Sequence, residues 1–185
     1  MLPPCLVPLD ALRFALPSLT GTLSGKAYPV GPSAGAVVNA RPVPGFFMVV
    51  WIILYILIGV AWVLAILDAE TLDGTESELK TIGLALDFGF LALTGMLAAW
   101  SYMYVRVSKR HALFTLMGTV LFLAIGLEVL RSFGLVRSTM LLLPLLVWAG
   151  FATLFNFTEV NMDPKENPMP MSMQMSMSMM PISVL

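Results

Sequence analysis

The sequence predicts an all-α integral membrane protein, and three observations lead to this fold class. Of 185 residues, 58% are hydrophobic and only 11% are charged, and the mean hydropathy is +0.89. A soluble domain carries about 25% charged residues, because its surface must face water. Four stretches are also long and apolar enough for a helix to cross the hydrocarbon core, which takes about 20 residues.

The four apolar stretches are marked by how few charges they contain. No charged residue lies between Arg41 and Asp68, which makes this the clearest span. Asp87 is the one charge in the next span, Glu128 is the one charge in the span after it, and the last span has none. The predicted spans are residues 46–67, 81–105, 111–130 and 138–158.

A first span is harder to derive from hydropathy. Residues 4–24 include three prolines together with Asp10 and Arg13, so their hydropathy is marginal. A membrane-crossing helix and a re-entrant or surface segment fit this composition equally well. The stretch from Gly31 to Pro44 is rich in proline and glycine and is predicted to be a loop.

The distribution of lysine and arginine predicts the orientation of the chain. One side of the membrane receives Lys26, Arg41, Arg106, Lys109, Arg110 and Lys165. The other side receives Lys80, Arg131 and Arg137, together with the acidic run Asp68, Glu70, Asp73, Glu76 and Glu78. Because basic residues collect on the cytosolic side, the C-terminus is expected to be cytosolic.

Several classes of function are disfavoured by the sequence. A net charge of −1 offers no basic face for nucleic acid, and the single cysteine, Cys5, rules out an internal disulfide. His111 is the only histidine, so metal-ligand spacing is missing. We interpret His111 as an interfacial polar residue, with haem or chlorophyll ligation as the alternative. The sequence has no catalytic triad, phosphate-binding glycine loop or dinucleotide motif, and we therefore expect no enzyme.

Two spans carry motifs that resemble those of a known family. Residues 47–59 read F-x-x-V-W-x-x-L-Y-x-x-x-G, and residues 144–157 are similar to P-Y-L-x-W-x-x-F-A-T-x-L-N-[YF]. Both resemble motifs of the TspO/MBR family, the translocator or tryptophan-rich sensory proteins, in the second and fifth helices. The resemblance covers roughly residues 1–160. It implies a five-helix transmembrane bundle in which residues 4–24 form the first helix.

The third span departs from the family pattern. When it is aligned on Leu91–Leu93, Phe90 and Thr94 stand where the family has glutamine and asparagine. When it is aligned on Trp100, two leucines stand there instead. In the fifth span, Leu145 replaces a tyrosine, and residues 157–160 lack the tyrosine and the basic residue of the family's cholesterol-recognition segment. These departures leave the ligand open.

The resemblance implies a pocket between the helices for a flat hydrophobic ligand, a porphyrin or other tetrapyrrole or a sterol, with no required cofactor. The residues that this places at the ligand are Phe47, Trp51, Tyr55, Thr94, Trp148, Phe151, Ala152 and Asn156. Aromatic faces suit stacking on a planar ring system. The alternative is that these rings pack helices together or form interfacial belts. The small side chain of Ala152 leaves room beside Trp148 or serves close helix packing.

Asp87 leads to a structural hypothesis. A carboxylate inside a span costs about 2.5–3.5 kcal/mol on insertion scales, so it usually has a partner or faces water. In a five-span topology Arg13 lies at a comparable depth, and we expect the two to pair and hold the first helix against the third. A hydrated Asp87 near the interface is the alternative. Glu128 and Arg131, one turn apart, are interpreted as a solvated pair.

Two functions are compatible with the sequence. In the first, residues 1–160 form a membrane domain that binds its ligand for transport, sensing or scavenging. In the second, the fold is kept as a structural subunit of a larger membrane complex, with Phe90 and Leu145 filling the pocket. A homodimer is compatible with both, and the outer mitochondrial membrane is the expected location for a eukaryotic chain, the cell envelope or an organelle membrane otherwise. The Met-rich tail, residues 161–185, is predicted to be disordered, with capture of Cu(I) by its thioethers as the alternative.

Overall fold

The computed structural model describes residues 8–30 and 44–163, and these form five long helices. The helices are α1 (Pro8–Ala27), α2 (Pro44–Ala69), α3 (Glu76–Tyr102), α4 (Lys109–Ser132) and α5 (Val136–Met162). A single turn of π-helix, Met103–Val107, joins α3 to α4. The all-α fold class is therefore confirmed. We name the two ends of the bundle after the connections there: the α2–α3 end and the α3–α4 end.

Four of the helices are long and apolar enough to cross a membrane: α2, α3 with its π turn, α4 and α5. They contain the predicted spans 46–67, 81–105, 111–130 and 138–158. α1 is 20 residues long, which corresponds to about 30 Å. It does not reach the same apolarity, yet it packs along α2 and α3 as a member of the bundle.

Most of the predicted Gly31–Pro44 loop lies outside the described residues, and so does the start of the predicted 4–24 span. The predicted tail begins at residue 161, but α5 continues to Met162. The rest of that tail, residues 164–185, lies outside the described part of the chain.

Short-range signals fix where several helices begin. α3 starts with a capping box, in which the Thr75 hydroxyl accepts a hydrogen bond from the Glu78 amide and the Glu78 carboxylate accepts one from the Thr75 amide. α4 starts at Ser108, whose hydroxyl accepts a hydrogen bond from the His111 amide. Between α4 and α5 the chain turns at Gly134, whose φ of 74° lies in the left-handed region that favours glycine.

Small residues bring α1 against α2. A Cβ added to Gly59 of α2 would overlap the backbone carbonyl of Phe14, so the two helices touch through their backbones at this point. Near the other end of α1, a Cβ added to Gly21 would overlap the ring of Tyr55, so here a side chain of α2 packs against the α1 backbone. Close backbone approach at small residues is typical of helix packing in membranes. The Ser138 hydroxyl of α5 also donates to the Ala61 carbonyl of α2 at 2.9 Å.

The bundle has an apolar interior and an apolar outer surface. Ile58 of α2, Leu97 of α3 and Leu145 of α5 are almost fully buried in one continuous core. On the outside of α5, Val147 is 73% exposed and Leu154 is 69% exposed. Large apolar side chains facing outward along every helix fit a hydrocarbon surrounding, in agreement with the composition.

Candidate functional site

The predicted aromatic residues of α2 share one face of the helix. Phe47, Trp51 and Tyr55 are spaced four residues apart, which places them on successive turns. Their ring centroids are 6.1 Å apart between Phe47 and Trp51 and 5.9 Å apart between Trp51 and Tyr55. The motif of the second span is therefore a continuous aromatic strip pointing towards α3 and α5.

The aromatic residues of α5 meet this strip. Trp148 lies with its ring centroid 5.5 Å from Phe47 and 6.5 Å from Trp51, the latter at an angle of 83°. Phe151 follows Trp148 at 5.4 Å. The structure thus brings together five of the predicted ligand residues, although they come from two helices almost a hundred residues apart in the chain.

α3 supplies two further rings that were not predicted as site residues. Trp100 stacks on Trp51 with centroids 5.8 Å apart and an interplanar angle of 23°. Tyr104, one turn later in the π turn, lies 5.9 Å from Trp100. Their i, i+4 spacing next to the end of an apolar span was the available signal. We call the seven rings the aromatic cluster: Phe47, Trp51, Tyr55, Trp100, Tyr104, Trp148 and Phe151.

Ala152 and Asn156 lie beside the aromatic cluster. Ala152 is buried with Trp100 and Leu116, and Phe47 and Trp51 pack against the same group. Its small side chain therefore serves close packing of α5 against α3 and α4. Asn156, one turn further along α5, is only 2% exposed. Both predicted residues thus lie in the interior of the bundle near the α3–α4 end.

Four buried polar atoms near the aromatic cluster stand out. Within the described part of the chain, no hydrogen-bond partner meets the indole Nε1 of Trp51, Trp100 or Trp148, or Oδ1 of Asn156. An unsatisfied buried polar group costs about 1–3 kcal/mol, and native structures keep few of them. Groups of this kind call for bound water or a ligand as their partner. The site therefore offers three donors and one acceptor among apolar rings.

Thr94 differs from the other predicted ligand residues. It is buried on α3, but its hydroxyl donates to the Phe90 carbonyl of its own helix at 2.8 Å. Phe90 itself stacks on Trp62, with centroids 5.5 Å apart and rings almost parallel at 6°. Leu145 is 1% exposed. Phe90 and Leu145 are therefore buried in the helix packing, and Thr94 has its hydrogen bond within α3.

The predicted partners Arg13 and Asp87 are in direct contact. The Arg13 Nε and Nη2 donate to the two oxygens of Asp87 at 2.8 and 2.7 Å. The same carboxylate accepts a hydrogen bond from Trp62 Nε1 at 2.7 Å, and Arg13 also bonds Asp10 at 2.8 Å. This network joins α1, α2 and α3 in one bidentate, hydrogen-bonded cluster, which is the favourable geometry for a charge pair in a low-dielectric setting.

A second ionic cluster, at the α3–α4 end, was missed. Glu159 of α5 is only 1% exposed, and its two oxygens accept hydrogen bonds from the Tyr104 hydroxyl at 2.7 and 2.8 Å. Lys109 at the start of α4 lies 2.9 Å from Glu159 and 2.6 Å from Asp163. A carboxylate in the last turns of an apolar helix was the available signal. The cluster ties α5 to the connection between α3 and α4.

The described residues hold no group of three or more histidine, cysteine or acidic side chains arranged for a metal ion. His111 is exposed, and its Nδ1 lies 2.7 Å from the Ser108 hydroxyl. His111 therefore lies in the first turn of α4, beside the N-cap residue Ser108.

Fold and site together define an integral membrane protein: a bundle of apolar helices around a buried aromatic site with unsatisfied polar atoms. The chain belongs to the TspO/MBR family, whose model matches residues 34–160. Members of this family are five-helix transmembrane bundles and are generally non-catalytic binding or transport proteins, in agreement with the expectation of no enzyme. A search of curated proteins gave no match.

Proposed function

We propose that the chain binds a flat hydrophobic ligand, a porphyrin or another tetrapyrrole or a sterol, in the aromatic cluster, and that it serves transport, sensing or scavenging of that ligand. The observation that carries the proposal is the set of unsatisfied polar atoms on Trp51, Trp100, Trp148 and Asn156. Apolar walls with a few convergent polar groups are typical of small-molecule sites.

The aromatic cluster suits a planar ligand with hydrogen-bond acceptors. Rings from α2, α3 and α5 present faces and edges at centroid distances of 5.8 Å between Trp51 and Trp100 and 6.5 Å between Trp51 and Trp148. A planar molecule can replace one of these ring contacts with its own stacking contact. Acceptor oxygens on such a ligand would meet the indole N–H groups, whose partners are otherwise missing.

Titration with protoporphyrin IX tests the proposal. The detergent-purified protein is titrated, and binding is followed by tryptophan quenching and by the absorption band of the porphyrin. We expect saturable binding at micromolar concentration or tighter. A Trp51→Leu, Trp148→Leu double variant removes two stacking faces and two donors, so it should bind at least tenfold more weakly. The porphyrin band is the readout for this variant because two fluorophores are gone.

Trp62→Phe is the matched control, because Trp62 lies outside the aromatic cluster and stacks on Phe90. It should bind the porphyrin as the wild type does. Equal binding by the wild type and the double variant would contradict the proposed site, and no saturable binding by the wild type would contradict the ligand class. Competition by a water-dispersed sterol separates the two ligand classes named above.

The second candidate function, a structural subunit of a larger membrane complex, is supported by Phe90 and Leu145. Both are buried, at 4% and 1% exposure, where the family pattern has polar residues. Extraction in a mild detergent followed by sizing and cross-linking tests this function. A defined complex with other chains, together with absent porphyrin binding, would favour it over the ligand-binding proposal.

We further propose that the α3–α4 end faces the cytosol. Arg106, Lys109 and Arg110 lie at this end, whereas acidic residues dominate the α2–α3 end. Protease digestion of sealed vesicles checks this orientation, because a tail that follows α5 is cleaved only on the exposed side. Protection of the tail in vesicles with the cytosolic face outward would reverse the assignment.

A further inference from the structure

A cavity of about 300 Å³ lies between α3 and α4 near the α2–α3 end. Its inner wall is formed by buried apolar side chains of α3, α4 and α5: Leu86, Phe90, Leu93, Leu123, Leu130 and Leu142. None of the aromatic cluster lines it. It is therefore a separate site, and the inference drawn from it does not depend on the proposed function.

The cavity exists because glycines stand where the two helices face each other. A Cβ added to Gly89 of α3 or to Gly126 of α4 would meet no atom within 4 Å. The close glycine contact between Gly59 and Phe14 shows the opposite use of the residue in the same bundle. At Gly89 and Gly126 the missing side chains leave a space instead of bringing backbones together.

The residues that line the cavity extend along the axes of α3 and α4. From Thr81 to Leu93 on α3 is 12 residues, which corresponds to about 18 Å of helix rise. From Phe122 to Phe133 on α4 is 11 residues, or about 16 Å. One leaflet of the hydrocarbon core is about 15 Å thick, half of the total of about 30 Å. The cavity therefore extends over the depth of one leaflet.

The cavity is open on its outer side. Ala85 of α3 and Phe122 and Val129 of α4 are exposed lining residues on the surface that faces hydrocarbon. A cavity with apolar walls that opens towards the hydrocarbon core is expected to be filled by apolar groups of lipids in the same leaflet. An apolar cavity of about 150 Å³ holds one benzene molecule, so this one holds on the order of a dozen carbon atoms.

Two cations stand at the level where the cavity ends. Lys80 directly precedes the lining residue Thr81, and Arg131 directly follows Leu130. Each is exposed and forms an exposed ion pair within its own helix, with Glu76 and Glu128 respectively. Exposed pairs are weak, so these cations can exchange their partner for the phosphate of a lipid.

We propose that the α3–α4 cavity binds one acyl chain of a phospholipid from the leaflet at the α2–α3 end, with the lipid phosphate at the level of Lys80 and Arg131. The bound chain replaces the side chains missing at Gly89 and Gly126 and supports the packing of α3 against α4.

Native mass spectrometry tests the proposal on the full chain. The protein is reconstituted in vesicles of palmitoyl-oleoyl-phosphatidylcholine with cholesterol, extracted, washed with detergent and sprayed. We expect one phospholipid per chain to be retained. Gly126→Leu and Gly89→Leu each place a side chain in the cavity and should retain at least fivefold less. Gly95→Leu is the control, because Gly95 is an exposed α3 glycine outside the lining, whose added Cβ also meets nothing.

A second readout is the quenching of tryptophan emission, compared between the wild type and Gly126→Leu. Trp62 stacks on Phe90, a wall residue of the cavity. Phosphatidylcholine with bromine in the middle of its acyl chains should therefore quench part of the tryptophan emission, and less so in Gly126→Leu. Retention of no phospholipid by the wild type would overturn the proposal. So would retention by both leucine variants at the level of the wild type, or preferential retention of cholesterol.

Discussion

Trp62 and Trp51 lie three turns apart on helix α2, and the hydrogen bonding of their indole N–H groups differs. The Nε1 of Trp62 donates to Asp87, its ring stacks on Phe90, and Asp87 is held by Arg13. Trp51 is surrounded by at least as many rings, but its Nε1 has no partner within the described residues.

The region around Trp62 is a structural scaffold, whereas the region around Trp51 is the candidate binding site. Around Trp62, the polar groups of Trp62, Asp87 and Arg13 are joined by hydrogen bonds, which gives one well-defined arrangement of α1, α2 and α3. Around Trp51 the rings pack against one another, but the Nε1 atoms of Trp51, Trp100 and Trp148 have no hydrogen-bond partner within the described residues. A bound molecule can accept a hydrogen bond from Trp51 Nε1, whereas near Trp62 it would have to break an existing hydrogen bond. The predictions below test the contacts of the bundle and then this contrast, from the largest expected effect to the smallest.

The largest loss of stability is expected from Asp87→Leu. The substitution leaves Arg13 with Asp10 alone and removes the acceptor of Trp62 Nε1. Breaking one side of a buried pair costs about 3–5 kcal/mol, and we expect about 3 kcal/mol because the Asp87 side chain is 25% exposed. Unfolding in mixed micelles at increasing dodecyl sulfate measures it. Asp68→Asn is the control, since its partner Arg137 is 65% exposed and little should change.

A double-variant cycle decides whether the Arg13–Asp87 contact itself is responsible. Arg13→Leu combined with Asp87→Leu should lose less stability than the two single losses added together, because each single variant leaves a charge behind. Strictly additive losses would mean that the two side chains act independently, and the scaffold account of this region would then be wrong.

Gly59→Ala should cost about 2 kcal/mol in the same unfolding measurement. The added Cβ overlaps the Phe14 carbonyl, and backbone cannot move aside as a side chain can. Gly150→Ala on α5 is the matched change without a neighbour, and it should be neutral or stabilising by up to about 1 kcal/mol, as expected for alanine in a helix. Similar losses in both variants would contradict the close approach of α1 and α2.

Tyr104→Phe should lower stability by about 1.5 kcal/mol, because it removes a hydrogen bond to the buried Glu159 carboxylate while keeping the ring next to Trp100. Tyr102→Phe, at an exposed neighbouring position, is the control and should change stability by less than about 0.5 kcal/mol. An unchanged stability of Tyr104→Phe would show that this hydrogen bond does not contribute to holding the Glu159 carboxylate.

The sequence predicted the helices of the bundle more completely than it predicted the aromatic cluster. Stretches with at most one charged residue predicted four helices because a membrane span must be predominantly apolar, and an intramembrane Asp87 needed a cation, which pointed to Arg13. α1 was ambiguous because its stability in the bundle comes from contacts at Gly21 and Gly59, which hydropathy does not register.

The aromatic motifs pointed to Trp51 and Trp148, whereas the sequence did not place Trp100 and Tyr104 in the same aromatic cluster. Trp100 lies within α3, but Tyr104 lies in the π turn at Met103–Val107, and periodicity assumes a regular helix. Thr94 shows the converse limit, because a buried hydroxyl that bonds its own helix looks the same in sequence as one that faces a ligand. The α3–α4 cavity is likewise a property of packing. Gly89 and Gly126 border open space, whereas Gly59 lies in close contact with Phe14 of α1, and the sequence does not distinguish the two situations.

The smallest effect on stability, and the sharpest test of the contrast, is expected from Trp→Phe changes at the two positions of α2. Trp62→Phe gives up a hydrogen bond to a charged group and should lose about 1.5 kcal/mol. Trp51→Phe gives up part of a ring but also removes an indole N–H without a partner, so its loss should stay below about 0.5 kcal/mol. Porphyrin affinity should change in the opposite order, falling in Trp51→Phe and staying constant in Trp62→Phe. Equal losses of stability at both positions would mean that Trp51 Nε1 has a permanent partner such as a buried water, and the case for a ligand at that atom would fail.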